Sequence, residues 1–161
     1  MGLTNLVEKF IDKKCKVCFS GEFVYNPNTA TIGITLVEKP YINNKLWKKY
    51  LKENFDFNLT EKNVFTMSVL HELGHHLTVD NFSNEQWEKD AQQKGIEHLN
   101  GDDWTMAYFN LSTERSATET AVKIYNSFDK KTIDNWNNLF INEIKHYEKT
   151  KKIKSTLLTK L

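Results

Sequence analysis

The sequence predicts an α+β fold: a small domain in which a short antiparallel sheet precedes a largely helical region. Two observations indicate this order, since strand-like segments with turn signals occupy residues 16–37, and apolar residues recur at helical spacing after Pro40. A chain of 161 residues, 39% of them apolar and 27% charged, is long enough to bury a core and has an ordinary globular composition. We therefore expect one domain over residues 1–150, followed by a basic tail over 151–161.

The amino-terminal part is expected to hold one helix and three strands. Apolar residues between Leu3 and Ile11 follow helical spacing, which predicts a helix over 3–13. Three further segments are typical of strands, with Gly21 after the first and a turn over 26–29 after the second: residues 16–20, 22–25 and 30–37. Every second residue of the last segment is apolar, which predicts a half-buried strand.

The remainder of the chain is expected to be helical. Apolar spacing predicts helices over 44–54 and 104–127. Capping patterns mark the other helix ends: Asn58 with Glu61 for a helix over 59–79, Ser83 with Gln86 for a helix that stops at Gly95, and Thr132 for the last helix.

Charge and hydropathy argue against two classes of partner. The net charge is +1 and Arg115 is the only arginine among 22 basic residues, so the chain lacks the basic field and the bidentate side chains typical of nucleic-acid binding. No apolar run approaches the ~20 residues of a membrane span, and charged residues interrupt the apolar positions near the amino terminus. We therefore expect a cytoplasmic protein that binds neither nucleic acid nor membranes.

The motif that indicates chemistry is H-E-x-x-H, which reads His71-Glu72-Leu73-Gly74-His75. Residues four apart lie on the same face of a helix, so both imidazoles can bind one metal ion, and zinc accepts histidine nitrogen readily. Glu72 is adjacent to the first ligand, the position of the general base in metalloproteases. Leu70, Leu73 and Leu77 are expected to form a separate core face, and Gly74 lets another element approach closely.

A catalytic zinc site needs three protein ligands and one open position, so a third ligand must lie elsewhere in the chain. The segment from Glu114 to Ala121 is the best candidate, because it is predicted to be helical and its alanines allow close packing against the first helix. Other acidic and imidazole side chains remain open as alternatives for the third ligand: Glu119, Asp102, Asp103 and His98.

Together, H-E-L-G-H and the downstream E-x-x-A-x-x-x-A resemble the gluzincin metallopeptidases, and in particular their small ImmA/IrrE-type members. The resemblance covers the motifs within about 50 residues. It implies a minimal zincin-like domain, with Glu114 as the third zinc ligand and Glu119 as its rival. Thr118 stands where the family usually has Asp or Asn to orient a ligand histidine. The resemblance also implies that an edge strand, here residues 30–37, pairs with the substrate backbone.

We therefore expect a zinc metalloendopeptidase with one Zn²⁺ per chain, held by His71, His75 and Glu114. A zinc-activated water attacks a protein or peptide substrate with Glu72 as general base, and His98 or Tyr108 stabilises the oxyanion. One alternative is a non-catalytic, zinc-stabilised binding or regulatory protein of a mobile element. Another is hydrolysis of a non-peptide amide. The sequence leaves the oligomeric state open.

Two other features are expected to be structural. Cys15 and Cys18 form a C-x-x-C pair, but a zinc knuckle needs a second pair, so we expect reduced, partly buried thiols on opposite faces of a strand. His76 points about 100° away from His75 around the helix and is expected on the surface or behind the ligands.

Overall fold

A computed structural model describes residues 3–10, 15–19, 23–34, 44–94 and 101–158. These residues form an α+β fold with a three-stranded sheet and a mostly helical remainder. The sheet strands are β1 Lys16–Phe19, β2 Val24–Asn26 and β3 Thr31–Ile34. The helices are α1 Leu3–Glu8, α2 Asn44–Phe55, α3 Val64–Thr78, α4 Asn84–Lys94, α5 Gly101–Phe109, α6 Ser112–Ser127 and α7 Lys130–Leu158, and a 3-10 turn, Val79–Asn81, follows α3.

The sheet is mixed, so the prediction of an antiparallel sheet is wrong for one of its two strand pairs. The strand order is β1-β3-β2; β2 pairs antiparallel with β3, whereas β1 pairs parallel with it. The strand predicted over 30–37 covers Thr31–Ile34 and lies in the centre, not at an edge of the described sheet. Its buried run of Ile32, Gly33 and Ile34 explains this place, because a central strand is covered on both sides. Residues 35–37 lie outside the described part.

Helix α3 begins at Val64, five residues later than predicted, because residues 61–63 form a turn before it, and the side-chain hydrogen bonds of this turn join Thr60 and Asn63 instead of Asn58 and Glu61. Thr60 N–H donates to Asn63 Oδ1 at 2.7 Å, and Asn63 N–H donates to Thr60 Oγ1 at 3.3 Å. This reciprocal pair resembles a capping box with Asn in place of Glu or Gln, but it closes the turn before α3, whose own N-cap residue, Asn63, makes no side-chain capping bond to the helix. At α4 the Ser83 half of the predicted box is present, since Gln86 N–H donates to Ser83 Oγ at 3.1 Å, whereas the Gln86 side chain donates to Asp90. The predicted stop at Gly95 lies outside the described residues.

The helix predicted over 104–127 is two helices, α5 and α6, separated at Asn110 and Leu111. No glycine or proline marks this break. Tyr50 Oη donates to the Phe109 carbonyl at 3.0 Å, and an Arg115 guanidinium N–H donates to Asn110 Oδ1 at 3.2 Å. Side chains of α2 and α6 therefore donate hydrogen bonds to the residues at which the chain leaves α5. This stabilisation depends on how the helices pack, which helical periodicity does not reveal.

The last helix starts earlier and ends later than predicted. Thr132 is not its cap: Asp129 accepts the Thr132 N–H at 2.7 Å, as an N-cap residue does. The helix continues to Leu158, through most of the segment predicted as a tail. None of the helices in the described part of the chain has the length and apolar character needed to cross a bilayer.

The core lies between the sheet, α2, α3 and α7, where the two largest fully buried side chains are Trp47 and Trp136. Leu70 and Leu73 are fully buried as expected, but Leu77 is 46% exposed, because it lies on the solvent side of α3, whereas the next residue, Thr78, is buried. Cys15 is buried and Cys18 is exposed, and neither is joined in a disulfide.

Candidate metal centre

The candidate site lies where α3 packs against α6, the most extensive contact between two helices among the described residues. Gly74 makes this contact close: a Cβ at this position would lie 2.3 Å from the Ala117 carbonyl oxygen. Ala117 and Ala121 are fully buried on the facing side of α6. Small residues on both helices therefore bring the imidazoles of α3 within reach of an acidic side chain of α6.

Three side chains from the two helices converge at this contact. His71 Nε2 lies 2.9 Å from Glu114 Oε2, and His75 Nε2 lies 3.3 Å from the same oxygen. One ligand atom of each residue lies within 4.8 Å of the others, and all three side chains are buried. Histidines four residues apart on one helix and a carboxylate from a second helix are thus gathered around one point.

The geometry fits a zinc ion. Two ligands that each lie about 2.0–2.1 Å from a tetrahedral zinc are roughly 3.3 Å apart. The distance from His75 Nε2 to Glu114 Oε2 equals this separation, and the distance from His71 Nε2 to the same oxygen is somewhat shorter. Two imidazoles and one carboxylate are also a ligand set that zinc uses in catalytic sites.

Burial and hydrogen bonding act on Glu114 in opposite directions. Burial opposes its negative charge, yet hydrogen bonds from His71 and His75 outweigh that effect and hold the pKa of the Glu114 carboxyl well below its usual range. Glu114 is only 2% exposed, and a carboxylate so deeply buried requires close positive or hydrogen-bonding partners. The group is therefore held as a carboxylate, the form that binds a metal.

Each histidine ring is held in a different way. His71 Nδ1 lies 3.1 Å from Thr118 Oγ1, and its ring packs edge-on against Trp47, with centroids 6.4 Å apart. His75 Nδ1 is buried without a hydrogen-bond partner among the described residues. The His75 ring is held by packing instead. The Tyr25 ring lies parallel to it, with ring centroids 6.3 Å apart, and the centroid of the Trp87 ring lies 5.7 Å from that of His75.

Glu72 and Tyr108 face the same region from different helices. Glu72 is buried on α3 beside His71. Burial raises the pKa of Tyr108, and the negative charges of Glu114 and Glu72 together with a hydrogen bond to Glu114 raise it further. The Tyr108 hydroxyl therefore keeps its proton and lies within electrostatic reach of both carboxylates.

Asp90 of α4 anchors the start of α6 just before Glu114. Its Oδ2 accepts the Thr113 backbone N–H at 2.9 Å and the Thr113 hydroxyl at 2.6 Å, and its Oδ1 accepts from Gln86 Nε2 at 2.7 Å. The first N–H groups of a helix have no partner within it, so a buried carboxylate from another helix satisfies one of them and fixes that turn. Asp90 therefore fixes the turn of α6 that carries Glu114, the residue after Thr113.

The other side chains considered as ligands are not part of this cluster. Glu119 is exposed on the opposite side of α6, with its Oε1 3.0 Å from Lys123 Nζ. His98 and the side chains of Asp102 and Asp103 lie outside the described part of the structure. His76 is half-buried behind His75, and its Nδ1 lies 3.2 Å from Tyr25 Oη.

Sequence reasoning missed four residues that support the cluster: Tyr25, Trp47, Trp87 and Asp90. Their positions depend on how the sheet, α2 and α4 dock on the two ligand helices, which spacing along the chain does not encode. Asp90 had one sequence signal, since this acidic residue lies three residues after Trp87, at the spacing expected for the buried face of a predicted helix.

Comparison with protein-family models, with curated proteins and with solved structures finds no match for this chain.

Proposed function

We propose that this protein is a small zinc metallopeptidase of gluzincin type, with a zincin-like fold, that hydrolyses bonds in a protein or peptide substrate. The observation that carries the proposal is the convergence of His71, His75 and Glu114 at one buried point, with Glu72 beside them on the same helix. A bound zinc would be held by these three side chains. Zinc in such a site polarises a carbonyl group and makes a water molecule acidic enough to attack it near neutral pH.

Glu72 supplies the proton transfers of the proposed reaction. Its carboxylate takes a proton from the attacking water as the new C–O bond forms. It then delivers this proton to the leaving nitrogen as the C–N bond breaks. The Tyr108 hydroxyl keeps its proton and is hydrogen-bonded to Glu114; in the proposed reaction this O–H turns from Glu114 to the carbonyl oxygen as that atom gains negative charge.

The substrate strand in this proposal is β2 rather than the segment over 30–37. β2 is an edge strand of the described sheet, and its Tyr25 side chain lies against His75. A peptide that runs along β2 would receive main-chain hydrogen bonds and pass beside the ligand histidines.

The number of ligands favours catalysis over a purely structural zinc site. Within the described ranges, the cluster of possible metal ligands has three members. Structural zinc sites usually have four protein ligands, whereas catalytic sites have three. A structural site also has no need of the buried Glu72 carboxylate beside the ligands. These points support an enzyme over the zinc-stabilised binding protein considered above.

The ligand set is tested by metal content. Wild type and Glu119→Ala, purified without added metal, are expected to contain one zinc per chain, whereas Glu114→Ala is expected to contain none. Glu114 touches both histidines, and Glu119 lies at the surface with Lys123. Elemental analysis by mass spectrometry measures the ratio. Zinc retained by Glu114→Ala at the wild-type level would contradict the assignment of the third ligand.

The role of Thr118 is tested by zinc affinity. Thr118→Val removes the hydroxyl next to His71 Nδ1 while conserving volume, and we expect zinc affinity to fall about tenfold, as for other partners of ligand histidines. Thr118→Ser keeps the hydroxyl and should keep most of the affinity, and Thr120→Val on the same helix is the control. Competition with a fluorescent chelator measures the dissociation constant. Equal affinities for Thr118→Val and wild type would show that this hydroxyl does not orient the ligand.

A further inference from the structure

An open cleft of about 810 Å³ lies next to the candidate metal centre. It runs between the turn that joins β2 to β3 and helix α4, and the end of α3 forms its floor. Tyr25 and Trp87 line the cleft, and both also pack against the ring of His75. The cleft and the metal centre therefore share two side chains, and a ligand in the cleft would lie close to the ligand histidines.

The cleft carries negative charge. Among the described residues that line it, Asp80 and Glu88 are the charged ones; both are exposed, and neither lysine nor arginine is present. His76 is the one other ionisable base there, and its Nδ1 is engaged with the Tyr25 hydroxyl. The two carboxylates give the described lining of the cleft a local negative charge that attracts a cation.

The cleft also offers aromatic surface. Phe82 and Trp87 line it and contact each other edge to face, with centroids 6.3 Å apart and planes at 87°. The Trp87 indole is fixed because its Nε1–H donates to the Val79 carbonyl at 3.2 Å. Aromatic faces attract cations, and the alkyl stem of a lysine or arginine packs well on them. Carboxylates beside aromatic rings therefore form a surface that suits a cation on an apolar stem.

We propose that this cleft is a specificity subsite that binds a cationic group of the peptide substrate. The identity of the ligand as a substrate rests on the proposed function, but the charge and the aromatic walls of the cleft do not depend on zinc. Two parts of a peptide carry such a cation: the side chain of arginine or lysine, and a free amino terminus. The experiment below distinguishes them.

The proposal is tested by binding, in both zinc-loaded Glu72→Gln protein and metal-free wild type. The probes are pentapeptides of one alanine-rich scaffold, labelled with fluorescein at the carboxyl end, that carry arginine, citrulline or glutamate at the central position. Citrulline has the shape of arginine without its charge. All three are acetylated, and a fourth peptide pairs citrulline with a free amino terminus. Fluorescence anisotropy gives each dissociation constant.

We expect the arginine peptide to bind about fivefold to tenfold more tightly than the acetylated citrulline peptide, since each exposed ion pair and each cation–aromatic contact contributes little alone. The glutamate peptide should bind most weakly. In 1 M salt the preference should largely disappear, because the screening length falls to about 3 Å. Tighter binding of the free-amine citrulline peptide than of its acetylated form would place the peptide's amino terminus in the cleft.

A charge-matched pair of variants locates the effect. The double substitution Asp80→Asn and Glu88→Gln should abolish the preference for arginine over citrulline. Glu85→Gln with Asp134→Asn removes the same charge from exposed positions outside the cleft and should leave the preference intact. Both double variants change only exposed side chains, and their thermal unfolding checks that the fold is retained.

The outcomes separate the two proposals. Equal binding of all four peptides, tighter binding of the glutamate peptide, or a preference that survives loss of both cleft carboxylates would overturn the subsite. A preference for the cation in a protein that neither binds zinc nor hydrolyses peptides would support the subsite and contradict the proposed function. Hydrolysis of peptides without any preference for the cation would support the proposed function and contradict the subsite.

Discussion

Substitution of Glu72 by glutamine is expected to lower the rate constant for peptide hydrolysis by about 10²–10⁴-fold while one zinc per chain remains bound. Glutamine has nearly the same volume and hydrogen-bonding reach as glutamate but does not accept a proton at neutral pH. Glu72 is not part of the His71–His75–Glu114 cluster, so the metal ligands are unchanged. The proton transfer is therefore lost without loss of the site.

The measurement combines metal content with hydrolysis of fluorescein-labelled casein by zinc-loaded protein. His71→Ala is the informative comparison, because it should lose both zinc and activity, whereas Glu72→Gln should lose activity alone. Thermal unfolding with and without zinc checks that Glu72→Gln keeps the metal-dependent stabilisation that binding to the native state provides. Undiminished hydrolysis by Glu72→Gln would contradict the assignment of Glu72 as general base. Loss of zinc from this variant would instead assign it a role in the metal site.

The parts of the site that follow from local geometry were predictable, and the parts that depend on docking were not. His71, Glu72 and His75 lie on one helix, where the spacing of residues decides their directions. Glu114 lies on another helix, and only the small residues around it indicated a close contact. Asp90 is brought to Glu114 by the placement of α4, so no spacing rule identifies it.

The fold shows the same division. Helices α2 and α4 lie within a residue or two of their predicted ranges, because apolar periodicity and capping patterns are local signals, whereas α3 begins five residues later than predicted. The parallel pairing of β1 with β3 was not predicted, because it depends on which strand is buried on both faces. The break between α5 and α6 was missed because Tyr50, distant in sequence, donates a hydrogen bond to the Phe109 carbonyl at this point, and Arg115 donates one to the Asn110 side chain.

The largest expected effect on stability comes from Gly74→Ala. An added Cβ would lie 2.3 Å from the Ala117 carbonyl oxygen and 3.0 Å from its carbonyl carbon and Cα, all of them backbone atoms of α6. A flexible side chain could turn away from such a contact, but a helix backbone moves only as a whole. The substitution therefore requires α3 and α6 to separate at the point where their side chains meet around the candidate metal centre.

Two opposing effects decide the sign of this change. Alanine favours a helix interior over glycine by about 0.5–1 kcal/mol. Overpacking in a dense interior typically costs about 1–3 kcal/mol, and a contact with backbone belongs at the upper end of that range. We expect a net loss of about 2 kcal/mol in the free energy of unfolding, which lowers the melting temperature of a chain this long by roughly 4–8 °C. Zinc affinity should fall as well, because Glu114 would move away from His71 and His75.

Urea denaturation and zinc titration of Gly74→Ala measure both effects. Leu77→Ala, on the same helix but 46% exposed, is the matched control and should change the free energy of unfolding by less than about 0.5 kcal/mol. Ala117→Gly should not rescue the variant, since the clash is with the carbonyl oxygen of residue 117 and not with its methyl group. A Gly74→Ala protein as stable as wild type, with unchanged zinc affinity, would mean that the two helices are not in backbone contact. The close approach that brings Glu114 to the histidines would then require another explanation.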